Sequence, residues 1–193
     1  MRLTDRIFAL FGRGSRSEDS GQRKRGVATH VIILDGTMSS LERGNETNAG
    51  LTFRLLQEAG RQANLTVYYE AGIQWRDWSG TWGVMTGKGI NKQIERAYGV
   101  LASRYRPGDK IILIGYSRGA YGVRSLAGVI DQHGLLRPEQ ASMRNTEFIY
   151  SYYRERRASP FAPRFSQKYC WEKGACQIEM IGVWDTVKAL GFR

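Results

Sequence analysis

The chain has 193 residues, of which 41% are hydrophobic, 11% aromatic and 24% charged. This size and composition indicate one globular domain with its own core and exclude a disordered chain. Two cysteines exclude a disulfide-rich scaffold, and two histidines exclude a histidine-rich metal site. No run of about 18 apolar residues occurs, which excludes a transmembrane helix.

The formal net charge is +11, which favours acidic partners such as an anionic membrane surface or a phosphate-bearing substrate. The alternative is an ordinary domain with a basic surface. We interpret residues 1–26 as a basic flexible tail or short amphipathic helix, and residues 27–193 as the folded domain. The N-terminus lacks the pattern of a signal peptide. We therefore expect a cytoplasmic protein, or one secreted without a signal peptide.

The first half of the chain predicts two strands and two helices. In chain order these are a buried strand at His30–Leu34, a helix from Asn48 to about Arg61, a strand at Leu65–Tyr69 and a helix from Ile90 to Tyr105. Residues 70–89 form an irregular, glycine-rich stretch with Trp75, Trp78 and Trp82. We expect these tryptophans to contact lipid or, alternatively, to cover an edge of the sheet.

The second half predicts the same alternation. Its elements are a buried strand at Lys110–Gly115, helices from Arg118 to about Asp131 and from about Pro138 to Arg157, and a strand at Gln177–Trp184. Strands that alternate with helices predict an α/β fold with three layers and a mostly parallel sheet. Chemistry in such sheets lies beyond the carboxyl ends of the strands.

One motif at a strand end is typical of covalent catalysis. Gly115-Tyr116-Ser117-Arg118-Gly119 fits G-x-S-x-G between a strand and a helix, which predicts a nucleophile elbow with Ser117 as nucleophile. Gly115 and Gly119 allow the strand and the helix to approach closely. The backbone amide of Arg118 would bind an oxyanion. The alternative is a tight turn that holds a serine by coincidence.

Two further strand ends supply candidate groups. We expect the backbone amide of Gly36 or Thr37 to be the second oxyanion donor, unless this segment only caps a turn. Asp185 follows the last predicted strand, and the order serine then aspartate matches the α/β-hydrolase order. Asp185 is therefore a candidate triad acid, with the cap of a turn as the alternative.

The motifs together resemble a known family. They are Asp35-Gly36-Thr37, Thr47-Asn48, Tyr68-Tyr69 with Gly72, the elbow extended to Tyr121, and Gly182–Gly191. They are similar to uncharacterised α/β-hydrolase domains that include the catalytic domains of type VI secretion phospholipase effectors. The resemblance implies a serine hydrolase for esters or phospholipids, with Ser117 and Asp185 in the site and no cofactor or metal.

The chain differs from this family because its sequence contains no histidine at the family's position. The family has its histidine beyond the segment that matches Gly191, so we expect the chain to be the amino-terminal part of the fold. His30 is expected about 16 Å from the catalytic edge at ~3.3 Å per residue. His133 is expected roughly 24 Å from Ser117 at ~1.5 Å per residue. We therefore expect no enzymatic turnover by the chain alone.

Two other interpretations come from different functional classes. One is a catalytically incomplete chain that serves as a binding module for anionic lipid or for a carboxyl-terminal partner segment. The other is a nucleic-acid-binding domain, which the net charge and a loose similarity of Arg118–Val123 to an RNA-binding strand motif would support. That motif lies on a strand, whereas Arg118–Val123 is predicted to start a helix. We therefore expect no nucleic-acid partner.

Overall fold

The computed structural model describes residues 26–188, apart from residues 38, 60–63, 73–87, 156–160 and 173. The strands are β1 (Thr29–Leu34), β2 (Leu65–Glu70), β3 (Lys110–Tyr116) and β4 (Ile178–Trp184). The helices are α1 (Asn48–Glu58), α2 (Lys88–Arg104), α3 (Arg118–His133), α4 (Met143–Glu155) and α5 (Phe161–Tyr169), with a 3-10 turn at Pro138–Gln140. Residues 1–25 of the predicted tail and residues 73–87 of the tryptophan-rich stretch, with all three tryptophans, lie outside the described residues.

The four strands form one parallel sheet in the order β2-β1-β3-β4. All six residues of β1 are buried because this strand has a neighbour on each side and helices over both faces. Its sequence, with an uninterrupted Val-Ile-Ile-Leu run, is the kind that a strand buried on both faces requires. The prediction of an α/β fold with a parallel sheet is confirmed.

Helices cover the two faces of the sheet unequally. On one face, Ile32, Leu34 and Leu113 pack into a cluster with the buried sides of α2, α3 and α4. On the other face, Val31, Ile33, Ile112 and Ile114 pack against Ala49 and Leu56 of α1. The fold therefore has three layers, with the larger part of the core between the sheet and α2 to α4.

Several predicted boundaries and faces change in the structure. The segment predicted as a helix from Pro138 to Arg157 is a 3-10 turn followed by α4, because the Ser142 hydroxyl accepts a bond from the Asn145 amide and starts a new helix. The 3.6-residue spacing of Leu51 with Leu55 predicts that Leu51 lies on the apolar face of α1, yet its side chain is exposed. The helix α5 had no prediction.

The strand β4 lies at an edge of the described sheet. It pairs with β3 on one side, and its large apolar residues Met180, Ile181 and Trp184 are 39%, 44% and 36% exposed. Within the described ranges, no helix has the length and apolar character needed to cross a bilayer.

Candidate functional site

Ser117 occupies a strained turn between β3 and α3. Its backbone has φ 53° and ψ −117°, a conformation that costs a non-glycine residue of order 1–3 kcal/mol. Glycines on both sides make the turn possible. A Cβ atom at Gly115 would lie 2.7 Å from backbone atoms of Ala120, and one at Gly119 would collide with the carbonyl group of Leu34. The structure thus places Ser117 at the predicted elbow, at the carboxyl edge of the sheet.

Asp185 lies in a segment bonded to the same turn. The Ser117 amide donates to the carbonyl oxygen of Trp184 at 3.0 Å, and the Val187 amide donates to the Ser117 carbonyl oxygen at 3.1 Å. These two bonds flank Asp185 in sequence and hold it beside the elbow. Asp185 has a positive φ of 45° and is exposed. The structure thus brings the two predicted side-chain candidates to one place.

Arg118 is the first residue of α3, and the Ser117 side chain makes no capping bond. Backbone amides in the first turn of a helix have no helical partner and carry a partial positive charge. The Arg118 amide therefore has the position that the sequence predicted for an oxyanion donor. Burial lowers the pKa of the Arg118 guanidinium.

The loop after β1 lies against the elbow. A Cβ atom at Gly36 would lie 3.1 Å from the Ser117 Cβ and 2.8 Å from the Tyr116 ring. A Cβ atom at Gly72 would in turn collide with the Gly36 carbonyl group and lie 2.6 Å from the Thr37 amide nitrogen. A side chain at Gly36 or Gly72 would therefore clash with the neighbouring segment, and glycine at both positions lets the two loops pack beside Ser117.

A buried carboxylate fixes this loop. Asp35 is 1% exposed and accepts bonds from the Gly36 amide at 2.7 Å and from the hydroxyl of Tyr69 at 2.8 Å. The Thr47 hydroxyl donates to both carboxylate oxygens at 2.8 and 2.7 Å and accepts the Gly50 amide at the start of α1. Burial, followed by the bond to Asp35, raises the pKa of the Tyr69 phenol.

These hydrogen bonds distinguish the two candidate oxyanion donors in the loop after β1. The sequence left Gly36 and Thr37 as equal candidates, but the Gly36 amide already donates to Asp35. The network itself was not predicted. Its signal in the sequence was a set of polar or small residues at the ends of β1 and β2 and at the start of α1, namely Asp35, Thr47, Tyr69 and Gly72.

Both histidines lie far from Ser117. His30 is 1% exposed near the amino end of β1, where Nε2 lies 3.0 Å from the Asp109 carboxylate and Nδ1 lies 2.7 Å from the Thr66 hydroxyl. His133 is the last residue of α3, whose first residue follows Ser117. At ~1.5 Å per residue this separation is roughly 24 Å. Neither imidazole is placed to accept the Ser117 proton.

Comparison with known proteins identifies the family. Residues 28–193 match the family described as the T6SS phospholipase effector Tle1-like catalytic domain. The chain is also 25% identical, over 221 aligned positions, to the uncharacterised protein YEL023C of Saccharomyces cerevisiae. That alignment covers 97% of this chain and 32% of the yeast protein, so the chain spans about a third of that relative. No solved structure matches the chain.

Proposed function

Because the chain belongs to the family of Tle1-like catalytic domains of T6SS phospholipase effectors, we propose that it carries a serine hydrolase site for carboxylic esters of lipids. The family supports a lipase- or esterase-type hydrolase and a lipid substrate. Ser117 is the proposed nucleophile and Asp185 the proposed acid. The observation that carries both assignments is the strained elbow at Ser117, whose backbone bonds flank Asp185.

In the proposed reaction, the Ser117 Oγ attacks the carbonyl carbon of the ester while its proton passes to an imidazole base. The oxyanion accepts bonds from the amides of Arg118 and Thr37, since the Gly36 amide is held by Asp35. The carbon–oxygen bond to the leaving alcohol then breaks, and the imidazolium protonates that alcohol. Water attacks the acyl-serine by the same route and releases the acid. Asp185 orients the imidazole and stabilises its charged form.

The imidazole has to come from a segment other than those that hold His30 and His133. His30 is bonded to Asp109 and Thr66 at the amino end of the sheet, and His133 is at the far end of α3. We propose that another segment or chain supplies the base and docks along β4, next to Asp185. The exposed Met180, Ile181 and Trp184 support this docking site.

The test is hydrolysis of p-nitrophenyl butyrate by the 193-residue polypeptide, with and without added imidazole. Loss of a triad base costs on the order of 10⁶ in kcat, so we expect no Ser117-dependent turnover without imidazole. Imidazole alone hydrolyses p-nitrophenyl esters, so the rate of interest is the excess over imidazole without protein. Free imidazole can take the place of the base, and we expect it to produce an excess rate that Ser117→Ala abolishes. Ser103→Ala, at an exposed serine of α2, is the matched control and keeps that rate.

Two results would contradict the proposal. Robust turnover without imidazole, abolished by Ser117→Ala, would mean that the chain contains a base. Equal rates for the unaltered chain and Ser117→Ala, both with and without imidazole, would remove Ser117 as the nucleophile.

The second candidate function is a binding module for anionic lipid without catalysis. The observations that favour it are the net charge of +11 and the distance of both histidines from Ser117. Such binding would be electrostatic, so it should increase with the anionic lipid content of vesicles and decrease with salt. Co-sedimentation with vesicles of graded composition tests this. Binding that is independent of both anionic lipid and salt would exclude it.

A further inference from the structure

A pocket lies at the end of the molecule remote from Ser117. It has a volume of about 520 Å³ and lies between the last turn of α3 and the helix α5. The residues that give it its chemistry are His133, Arg137, Ser166, Cys170, Trp171 and Glu172. None of them belongs to the proposed catalytic site, since His133 lies 16 residues of helix away from Ser117.

The walls of this pocket are fixed by backbone hydrogen bonds. The Arg137 amide donates to the Tyr169 carbonyl oxygen at 3.0 Å, and the Trp171 amide donates to the Leu135 carbonyl oxygen at 2.8 Å. Together with the bridge between Leu136 and Cys170, these bonds join the segment after α3 to the segment after α5. The two side chains that matter most, Arg137 and Trp171, are therefore carried by a preorganised backbone.

The guanidinium of Arg137 lies over the Trp171 ring, with Cζ at 5.9 Å from the ring centroid. This distance is within the range of a cation–π contact. No carboxylate in the described part of the chain forms an ion pair with the guanidinium, so its N–H groups remain available. The indole N–H of Trp171 is buried and likewise meets no acceptor in the structure as described. Two lining residues of the pocket, Arg137 and Trp171, thus carry donor groups without an acceptor.

Arg137 and Glu172 are the charged residues among those that line the pocket. Burial lowers the pKa of His133, so the imidazole is neutral at pH 7 and offers one N–H. Burial raises the pKa of Cys170 to about 11, so the thiol is also neutral. Glu172 is exposed at the rim and supplies the carboxylate among the lining residues.

We propose that this pocket binds a phosphate group, with the guanidinium fork of Arg137 as the principal contact and Trp171 and His133 as further donors. The fork pairs with two oxygens of an oxyanion. A carboxylate is then fully used, whereas a phosphate has further oxygens for the indole and imidazole N–H groups. The net charge of +11 attracts such ligands to the molecule. The phosphate belongs either to a soluble phosphate ester or to a lipid headgroup, and the two sources present the same chemistry.

The test is an NMR titration of the ¹⁵N-labelled 193-residue chain with inorganic phosphate, with acetate as the comparison anion. The indole N–H signal of Trp171 is assigned by its loss in Trp171→Phe. We expect this signal to shift and saturate with phosphate, and to respond at least ten times more weakly to acetate. Arg137→Gln should weaken phosphate binding at least tenfold. Arg164→Gln, at an exposed arginine of α5 outside the pocket, should leave it unchanged.

Vesicles distinguish the two sources of phosphate. Binding to phosphatidic acid vesicles that is lost in Arg137→Gln and retained in Arg164→Gln assigns the pocket to a lipid headgroup. Equal vesicle binding by both variants assigns it to a soluble phosphate. The proposal is overturned if phosphate gives no saturating shift, if acetate binds as tightly as phosphate, or if Arg137→Gln binds phosphate like the unaltered chain while its spectrum shows that it is folded.

Discussion

Replacement of Gly119 by alanine tests whether the elbow depends on contact between backbones. A Cβ atom at this position would collide with the carbonyl group of Leu34 and lie 2.7 Å from the Asp35 carbonyl oxygen. Carbon atoms in good contact are about 3.5–4.0 Å from their neighbours. Because every atom in the way belongs to the backbone at the end of β1, no rotamer change relieves the clash. The helix α3 has to move away from the sheet.

Overpacking of a core costs roughly 1–3 kcal/mol, and more where the surroundings are rigid. We therefore expect Gly119→Ala to lower the free energy of unfolding by about 3 kcal/mol. For a domain of this size that corresponds to a fall in Tm of roughly 6–12 °C. Thermal and urea unfolding followed by circular dichroism measure the effect.

The matched control is Gly99→Ala in α2, where a Cβ atom would lie 3.6 Å from the Thr146 hydroxyl oxygen, an ordinary contact. Alanine in a helix interior is more favourable than glycine by ~0.5–1 kcal/mol, so this variant should be slightly stabilised. Gly119→Ala that is as stable as the unaltered chain would refute the close approach of α3 to the end of β1.

Three further predictions concern buried polar groups. Tyr98→Phe should lower the free energy of unfolding in urea by about 1–3 kcal/mol, because the Tyr98 hydroxyl donates to the Gly134 carbonyl oxygen and accepts a bond from the Leu136 amide. A free energy equal to that of the unaltered chain would contradict these bonds. Burial lowers the pKa of His133, so the unfolded chain binds a proton first as pH falls below about 6.5. Stability in phosphate-free buffer should decrease in that window, and His133→Gln should reduce the decrease; an unchanged pH profile would contradict it. Cys170 is buried and its pKa is raised to about 11, so in the folded chain it should react with iodoacetamide at pH 7.5 far more slowly than in the unfolded chain. Mass spectrometry measures the two rates, and equal rates would show that the thiol is accessible.

The elements of the sheet and the elbow were predictable because their signals are local. The Val-Ile-Ile-Leu run of β1 and the glycines around Ser117 each depend on a few consecutive residues. The helix α5 had no prediction from the sequence. It contains Pro163 in its first turn, where a helix tolerates proline.

The hydrogen bonds that hold the Asp35 carboxylate were not predictable, for a different reason. Asp35 meets Thr47 and Tyr69, which are 12 and 34 residues away in sequence. Periodicity and motif spacing carry no information about such contacts, since they depend on which strands become neighbours in the sheet. The choice between Gly36 and Thr37 as oxyanion donor depended on this network, and so it needed the structure.

The position of β1 in the middle of the sheet has a consequence for synthesis of the chain. The Ala28 amide, just before β1, bonds to the Asp109 carboxylate, which is 81 residues later. At ~5–20 residues per second, a ribosome needs roughly 4–16 s to add those residues. For that time β1, whose six residues are all buried in the folded protein, lacks its pairing with β3 and its packing against α3. The nascent chain therefore exposes the apolar side chains of β1 until β3 emerges, and slower translation between β1 and β3 lengthens that exposure.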